Sequence, residues 1–293
     1  MRKRRSKEDV VVDSVNYALL AIVSLAMLYP FYYVLIASFN LGSDTATGGL
    51  YLFPRAFTLN NYTFFFKDSH WTHAFWITVL RTVSGTLLSI VFTCLVAYGL
   101  SKPYLLFRKF YFLLIVIAMN VSGGLVAYYV VLRSVGLLNS FAVYIIPTML
   151  NLFFLLIAVS FFREIPEEMA ESARIDGASE LTVFARIIMP VSMPLLATMT
   201  LFLGSGQWNA WLDSAYFVQG QGLRTLSYRM IEVMNQTLVS SDSQAAQFMT
   251  SLQLTQFSVQ ATAMIISVLP IMCVYPFIQK YFVQGMMLGS VKG

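Results

Sequence analysis

Residues Arg163 to Pro190 read REIPEEMAESARIDGASELTVFARIIMP, a charged and small-residue segment set between two apolar stretches that are each long enough to cross a bilayer. Six of the chain's 14 acidic residues fall here: Glu164, Glu167, Glu168, Glu171, Asp176 and Glu180. The pattern predicts two short helices with a turn between them. Pro166 suits the first turn of a helix, where its missing N–H is not needed, and Glu167 and Glu168 then sit at the positive end of the helix dipole. Met169, Ala170 and Ala173 form a small apolar face, while Glu171 and Arg174 point elsewhere. Gly177 ends this helix and Ser179 caps the next, in which Phe184, Ile187 and Ile188 recur at helical spacing until Pro190 stops it. A short helix with such a face can seat in a partner's groove.

Outward from this segment the chain is oily. Of its 293 residues 58% are hydrophobic and 11% are charged, against about 25% charged in soluble domains. Mean hydropathy is +0.69. Stretches of about 20 apolar residues can cross the hydrocarbon layer, and in lipid they must be helical because no water is present to bond the backbone. Six such stretches are found, at about Val15–Ser38, Phe75–Leu100, Phe110–Leu132, Phe141–Phe162, Val191–Phe217 and Ser258–Tyr281. The expected fold is therefore an all-α integral membrane protein of six transmembrane helices.

Its orientation follows from Lys and Arg. With the N-terminus inside, Arg2, Lys3, Arg4, Arg5, Lys7, Lys102, Arg108, Lys109, Arg163, Arg174, Arg186, Lys280 and Lys292 all fall inside, 13 of the 19 basic residues. The positive-inside rule thus places both termini and the 163–190 loop in the cytoplasm. The net charge of +5 reflects this topology and implies no nucleic-acid partner. The first apolar stretch is longer than a signal-peptide core and lacks a small-x-small cleavage site, so it is expected to remain as a span.

Several chemistries find no support. No Gly-x-x-x-x-Gly-Lys-Ser/Thr loop occurs, so ATP should be hydrolysed elsewhere. No nucleophile elbow or paired-carboxylate site is present, and an enzyme is not expected. Cys94 and Cys273 fall in predicted spans and are expected to be buried packing residues rather than disulfide or metal partners. His70 and His73 form a weak metal signal without further ligands.

Two outer loops, 40–72 and 218–257, are long. The first is aromatic and is expected to lie along the outer membrane surface; the second holds an amphipathic helix around Tyr228 to Leu238 and then the polar run VSSDSQAAQ. Gly85, Ser89, Thr93 and Ala97 form a small-residue stripe, suited to close helix packing within the chain or against a second subunit. Arg81 and Asp213 lie close enough to the outer interface to snorkel there. Groups suited to a sugar pathway are Asn120 and Ser122 beside Gly123 and Gly124, Tyr128 and Tyr129, Asn151, and Gln207, Trp208, Asn209 and Trp211. Among these, Asn120, Tyr128, Trp208 and Asn209 are the foremost candidates to line it.

Glu171, Ser172, Ala173, Gly177, Ile187 and Pro190 match the Glu-Ala-Ala, Gly and Ile-x-x-Pro pattern of the membrane-spanning subunits of bacterial ATP-binding-cassette importers, with Ser for one Ala. ESARIDGAS, FPRAFTLNNY (Phe53 to Tyr62), VLRSVGLLNS (Val131 to Ser140) and the terminal GMMLGSVKG resemble the carbohydrate branch, whose maltose-type second permease has a similar tail. The subgroup most similar in sequence handles complex oligosaccharides, including alginate. The resemblance implies a bacterial inner-membrane permease with a basic N-terminus (1–14), a six-span domain (15–282) and a cytoplasmic tail (283–293). Its implied partners are a second homologous permease, two copies of a cytoplasmic ATPase that bind the ATP and Mg, a periplasmic or lipid-tethered sugar-binding protein, and membrane lipid. No cofactor is implied in this chain.

The residues implied to couple to the ATPase are Glu167, Met169, Ala170, Glu171, Ala173, Arg174, Asp176, Gly177 and Ala178, with Gly289, Lys292 and Gly293 of the tail at the same interface. Gln219 to Arg224 would reach the binding protein. In maltose-type importers most substrate contacts belong to the partner permease. The alternative from residues alone is an ATP-independent secondary transporter or channel, which should show inverted repeats and functional buried charges; neither is found in the sequence. An assembly scaffold without a pathway would leave the 163–190 loop without a task.

Overall fold

The computed structural model describes residues 7–50, 52–236 and 253–290. Their regular structure is helical, apart from one antiparallel bridge between Asn40 and Phe57. The helices are α1 (Lys7–Ser38), α2 (Gly42–Ala46), α3 (Asn60–Lys67), α4 (Ser69–Ser101), α5 (Arg108–Asn120), α6 (Gly124–Ser134), α7 (Leu152–Glu164) and α8 (Glu168–Ile175). They continue with α9 (Glu180–Val191), α10 (Met193–Asn209), α11 (Leu212–Phe217), α12 (Leu226–Gln236) and α13 (Gln256–Ser290).

Among the described residues, three helices are long and apolar enough to cross a membrane unaided: Val11–Ser38 of α1, all of α4, and Gln256–Val274 of α13. The predicted third, fourth and fifth spans are not straight. α5 and α6 meet at 116°, the 3₁₀ turns over Phe141–Thr148 meet α7 at 44°, and α9 meets α10 at 81°, so the count reaches six only if each bent pair is one span. The breaks have local causes. α5 stops at Asn120, whose Nδ2 donates back to Val116 O, and Gly124 takes a φ of 74° that a side chain would resist. Asn151 is a helix cap rather than a free pathway group: its Oδ1 accepts from Phe154 N–H at 3.0 Å, while its own N–H donates to Thr93 Oγ1.

Pro190 does not stop its helix. Lacking an N–H for Arg186 O, it sits just after a π-helical turn over Phe184–Ile188, a widening that makes room for the ring. The chain turns instead at Ser192, ahead of Pro194.

Two compact units are formed. In the first, residues 1–68 with 233–268, Asn40 organises the α1 exit. Its Nδ2 donates to Asp44 Oδ2 and Thr45 Oγ1, both at 2.8 Å, and its Oδ1 accepts from Ala56 N–H. Gly42 lies so near the 253–255 backbone that a Cβ would stand 2.4 Å from Thr255 N. In the second, residues 69–232 with 269–293, α4 runs between α7 and α10. The stripe Gly85, Ser89, Thr93 and Ala97 is buried inside this unit, with Gln207 filling the space a Gly85 side chain would need. Internal packing therefore accounts for it. Cys94 is fully buried beside Met199, but Cys273 is exposed, contrary to expectation.

Candidate functional site

The 163–190 loop folds as two helices with a turn, as its sequence predicts. α8 begins at Glu168 with Glu167 at its N-cap, two residues later than a Pro166 start would give. It ends in a Schellman motif: Gly177 adopts φ 85°, its N–H donates to Arg174 O at 3.0 Å, and Ala178 N–H donates to Ala173 O at 2.9 Å. Ser179 Oγ then accepts from Thr182 N–H and caps α9.

The small-residue face points the other way from expectation. Ala170 is buried, and Ala173 and Ala178 are packed beside it, against an apolar cluster that includes Tyr98, Phe162, Phe184 and Ile188. These alanines seat α8 on its own chain. The outward face is Glu168, Met169, Glu171, Ser172, Ile175 and Asp176, all exposed, with Ile175 at 86%. Glu167 is exposed too, and Arg174 is half-buried. Helical spacing brings Ala170 and Ala173 together but gives the wrong side for Met169, which lies on the outward face; the exposed Ile175 was the missed signal.

A polar clamp that the sequence did not disclose holds this loop. Glu180 Oε1 accepts from Arg174 Nε at 2.7 Å, and Glu180 Oε2 accepts from Tyr98 Oη at 2.6 Å, so one carboxylate joins α8, α9 and α4. Lys102 Nζ lies 4.3 Å from the centre of the Tyr98 ring. The Arg174 hydrogen bond, followed by that of Tyr98, holds the Glu180 carboxyl below its ordinary pKa, and the same contact raises that of Arg174. Partial burial, with Arg174 nearby, lowers that of Lys102. A cavity of about 510 Å³ opens beside the clamp, lined by Lys102, Arg108, Arg163, Glu164, Glu167 and Glu168 among others.

About three turns into α4 from its start at Ser69, Arg81 does not snorkel. It is 1% exposed, donates through Nε to Gln207 Oε1 at 2.9 Å and through Nη1 to Ala210 O at 3.0 Å, and pairs with Asp213. Its guanidinium lies over the Tyr144 ring. Gln207 in turn donates to Thr148 Oγ1, so it is a strut of the fold and not a pathway group.

The other pathway candidates separate. A concave space of about 660 Å³ at the α5–α6 break is lined by Ser122, Gly123, Gly124 and Tyr128 among others. Asn120 is exposed next to it, and Tyr129 packs near Phe217. Asn209 and Trp211 are exposed elsewhere. Trp208 is 5% exposed against Phe75, so it lines no open space here.

In the 218–257 segment, Gln219 to Gly222 are exposed on a pinned base: Gln219 N–H donates to Asn139 Oδ1, and His73 Nε2 bonds Gly222 O at 2.6 Å. The amphipathic helix is found at Leu226–Gln236, whereas VSSDSQAAQ lies outside the described residues. Gly289 falls in α13, and Lys292 and Gly293 lie outside the described residues.

Long apolar helices, three bent pairs and a charged two-helix loop seated on the bundle define a multi-pass membrane protein. Residues 84–288 match the family described as binding-protein-dependent transport system inner membrane component, and the chain belongs to it. Protein LplC of Bacillus subtilis (strain 168) is 34% identical over 290 residues, covering 98% of this chain and 97% of the relative. The polygalacturonan/rhamnogalacturonan transport system permease protein YtcP of the same organism is 32% identical over 283 residues, covering 96% and 98%. A chain in the crystal structure of a bacterial ABC transporter involved in the import of the acidic polysaccharide alginate superposes with a TM-score of 0.87 at 26% identity, covering 95% of this chain and 99% of that one.

Proposed function

We propose that this chain is one of two permease subunits of a bacterial inner-membrane importer for oligosaccharides, driven by a separate ATPase. One observation carries it: α8 is locked to the bundle through Ala170 and Arg174 while Glu168, Met169, Glu171, Ile175 and Asp176 are exposed. That face suits the groove of a cytoplasmic subunit. Six crossings follow if each bent pair is one span, with both termini in the cytoplasm. The 81° bend then leaves α9 nearer the bilayer plane than its normal, in the cytoplasmic loop, when α10 crosses.

ATP binding would close two copies of the ATPase and move α8 as a rigid body, with Glu171 paired to a basic residue on the ATPase. Gly177 permits the turn that holds α8 against α9. The tail at Gly289, Lys292 and Gly293 would enter between the ATPase subunits, and Gln219 to Gly222 would meet the soluble receptor. The substrate class is a uronate-bearing oligosaccharide, supported by two relatives, since polygalacturonan and alginate are both uronate polymers. Tyr128, Asn120 and Asn209 remain the candidates to line the pathway in this chain.

The test is co-purification. A stoichiometric ATPase should accompany the chain, and Glu171→Lys should cut sugar-stimulated ATP hydrolysis by about tenfold or more, as expected for a lost charge pair, with the complex still assembled. Solute movement by the purified chain alone would overturn the proposal. Deleting Gln219 to Gly222 should abolish stimulation by the receptor, and unchanged stimulation would remove that loop from the scheme.

A further inference from the structure

We infer that Tyr98, through Glu180 and Arg174, is the positioning residue that passes movement of α8 into α4, and so to the Arg81 end of the bundle. The inference rests on the function proposed above and adds the route by which force enters the spans.

The clamp is a single carboxylate with two donors from different elements. Arg174 on α8 reaches Glu180 Oε1, and Tyr98 on α4 reaches Glu180 Oε2. Charge-assisted bonds of 2.6 and 2.7 Å are short and directional, so they fix distance and angle where apolar contact would let α8 slide. Tyr98 is itself held: 7% exposed, its ring packed on Phe184 at 5.4 Å and covered by Lys102.

What Tyr98 belongs to matters equally. α1 contains Pro30, α13 contains Pro270 and Pro276, and the remaining candidate spans are bent pairs. α4 has neither a proline nor a break over 33 residues. Among the described residues it is the one long helix able to act as a straight strut. Its other clamp, Arg81, holds Gln207, the Ala210 carbonyl and Asp213 at the α10–α11 junction. The two clamps are about 25 Å apart along the helix at ~1.5 Å per residue. A displacement at α8 therefore reaches that junction through one rigid body.

The experiment uses the complete importer, purified with the ATPase, partner permease and binding protein that accompany this chain, and reconstituted in lipid vesicles. Uptake of alginate, polygalacturonate and neutral maltose-type oligosaccharides is measured together with ATP hydrolysis. Tyr98→Phe removes one hydroxyl and keeps the ring. It should lower sugar moved per ATP hydrolysed roughly tenfold, the size of one lost hydrogen bond to a charged group. Glu180→Gln, which keeps an amide oxygen as acceptor but loses the charge, should lower the ratio by roughly threefold, and it decides the matter if Tyr98→Phe does not assemble. A merely structural clamp would lower the yield of assembled complex and leave the ratio unchanged. Wild-type ratios in both variants would overturn the inference while the proposed function stood. Absence of any ATPase from the wild-type preparation would remove the proposed function, and the inference with it.

Discussion

The two clamps on α4, at Arg81 and at Tyr98, use the same kind of chemistry in opposite surroundings. At one, Arg81 is almost fully enclosed and bonded to Asp213, Gln207 and Ala210 O. At the other, the Glu180 side chain that joins Arg174 and Tyr98 is half exposed. Burial makes an ion pair costly to break, because the partner left behind cannot be solvated, whereas exposure screens the pair and makes its removal cheap. The Arg81 pair is therefore the costlier of the two to break, whereas the Glu180 clamp sets the position of α8 through short, directional bonds.

The largest effect expected is at the buried clamp. Asp213→Asn strands the enclosed Arg81 charge and should destabilise the detergent-solubilised protein by about 3 kcal/mol, the lower end of the range for a broken buried pair because the Asp213 side chain keeps some exposure. Replacing both partners, Arg81→Met with Asp213→Leu, should recover much of that loss in a thermal unfolding assay. The contrast between the clamps breaks if Asp213→Asn destabilises no more than Glu180→Gln.

Gly177 gives an intermediate case. Its φ of 85° lies in the left-handed region, yet among the described residues nothing stands within 4 Å of where a Cβ would be. Any penalty there is from the backbone alone. Gly177→Val should destabilise by about 1–2 kcal/mol and Gly177→Asn by clearly less, since Asn tolerates this conformation. Equal losses in thermal midpoint would mean that the Schellman turn does not hold α8.

Which of these features could be read in the sequence depended on how local they are. Gly177 and Ser179 act within a few residues of themselves, so their types and spacing were enough. The Arg81 hub joins residues 126 and 132 positions apart, so hydropathy shows the depth of Arg81 in its span but not its partners. Snorkelling was the reading available without them. The breaks at Met149–Asn151 and Ser192 are hidden because hydropathy averages over windows longer than a break, whereas the pair Gly123 and Gly124, which loosens a helix, marks the one at Val121–Gly123. Helical spacing groups Met169 with Ala170 and Ala173 as one face, but Met169 is exposed, and only the packed fold shows that the two alanines turn inward without it. Asn151 looked like a pathway amide because capping depends on where α7 begins, and the run Phe141–Phe162 does not mark that point.

The smallest effect is the pH response of the exposed clamp, and it sharpens the comparison most directly. Arg174 first, and Tyr98 second, hold the folded Glu180 pKa below the ordinary 4.5, with Lys102 acting in the same direction. A depressed carboxylate stabilises the folded protein fully above its unfolded pKa. That contribution is lost as pH falls through the folded value. The thermal midpoint of wild type should therefore exceed that of Glu180→Gln at pH 7, and the gap should close below about pH 4.5 as Glu180 protonates. Because the carboxylate is half exposed, the gap should be under about 1 kcal/mol and should shrink further in high salt. The Asp213→Asn deficit comes from a stranded Arg81 charge enclosed by protein and should be much less sensitive to the same salt. If added salt erased both deficits equally, the two clamps on α4 would not differ in burial as described.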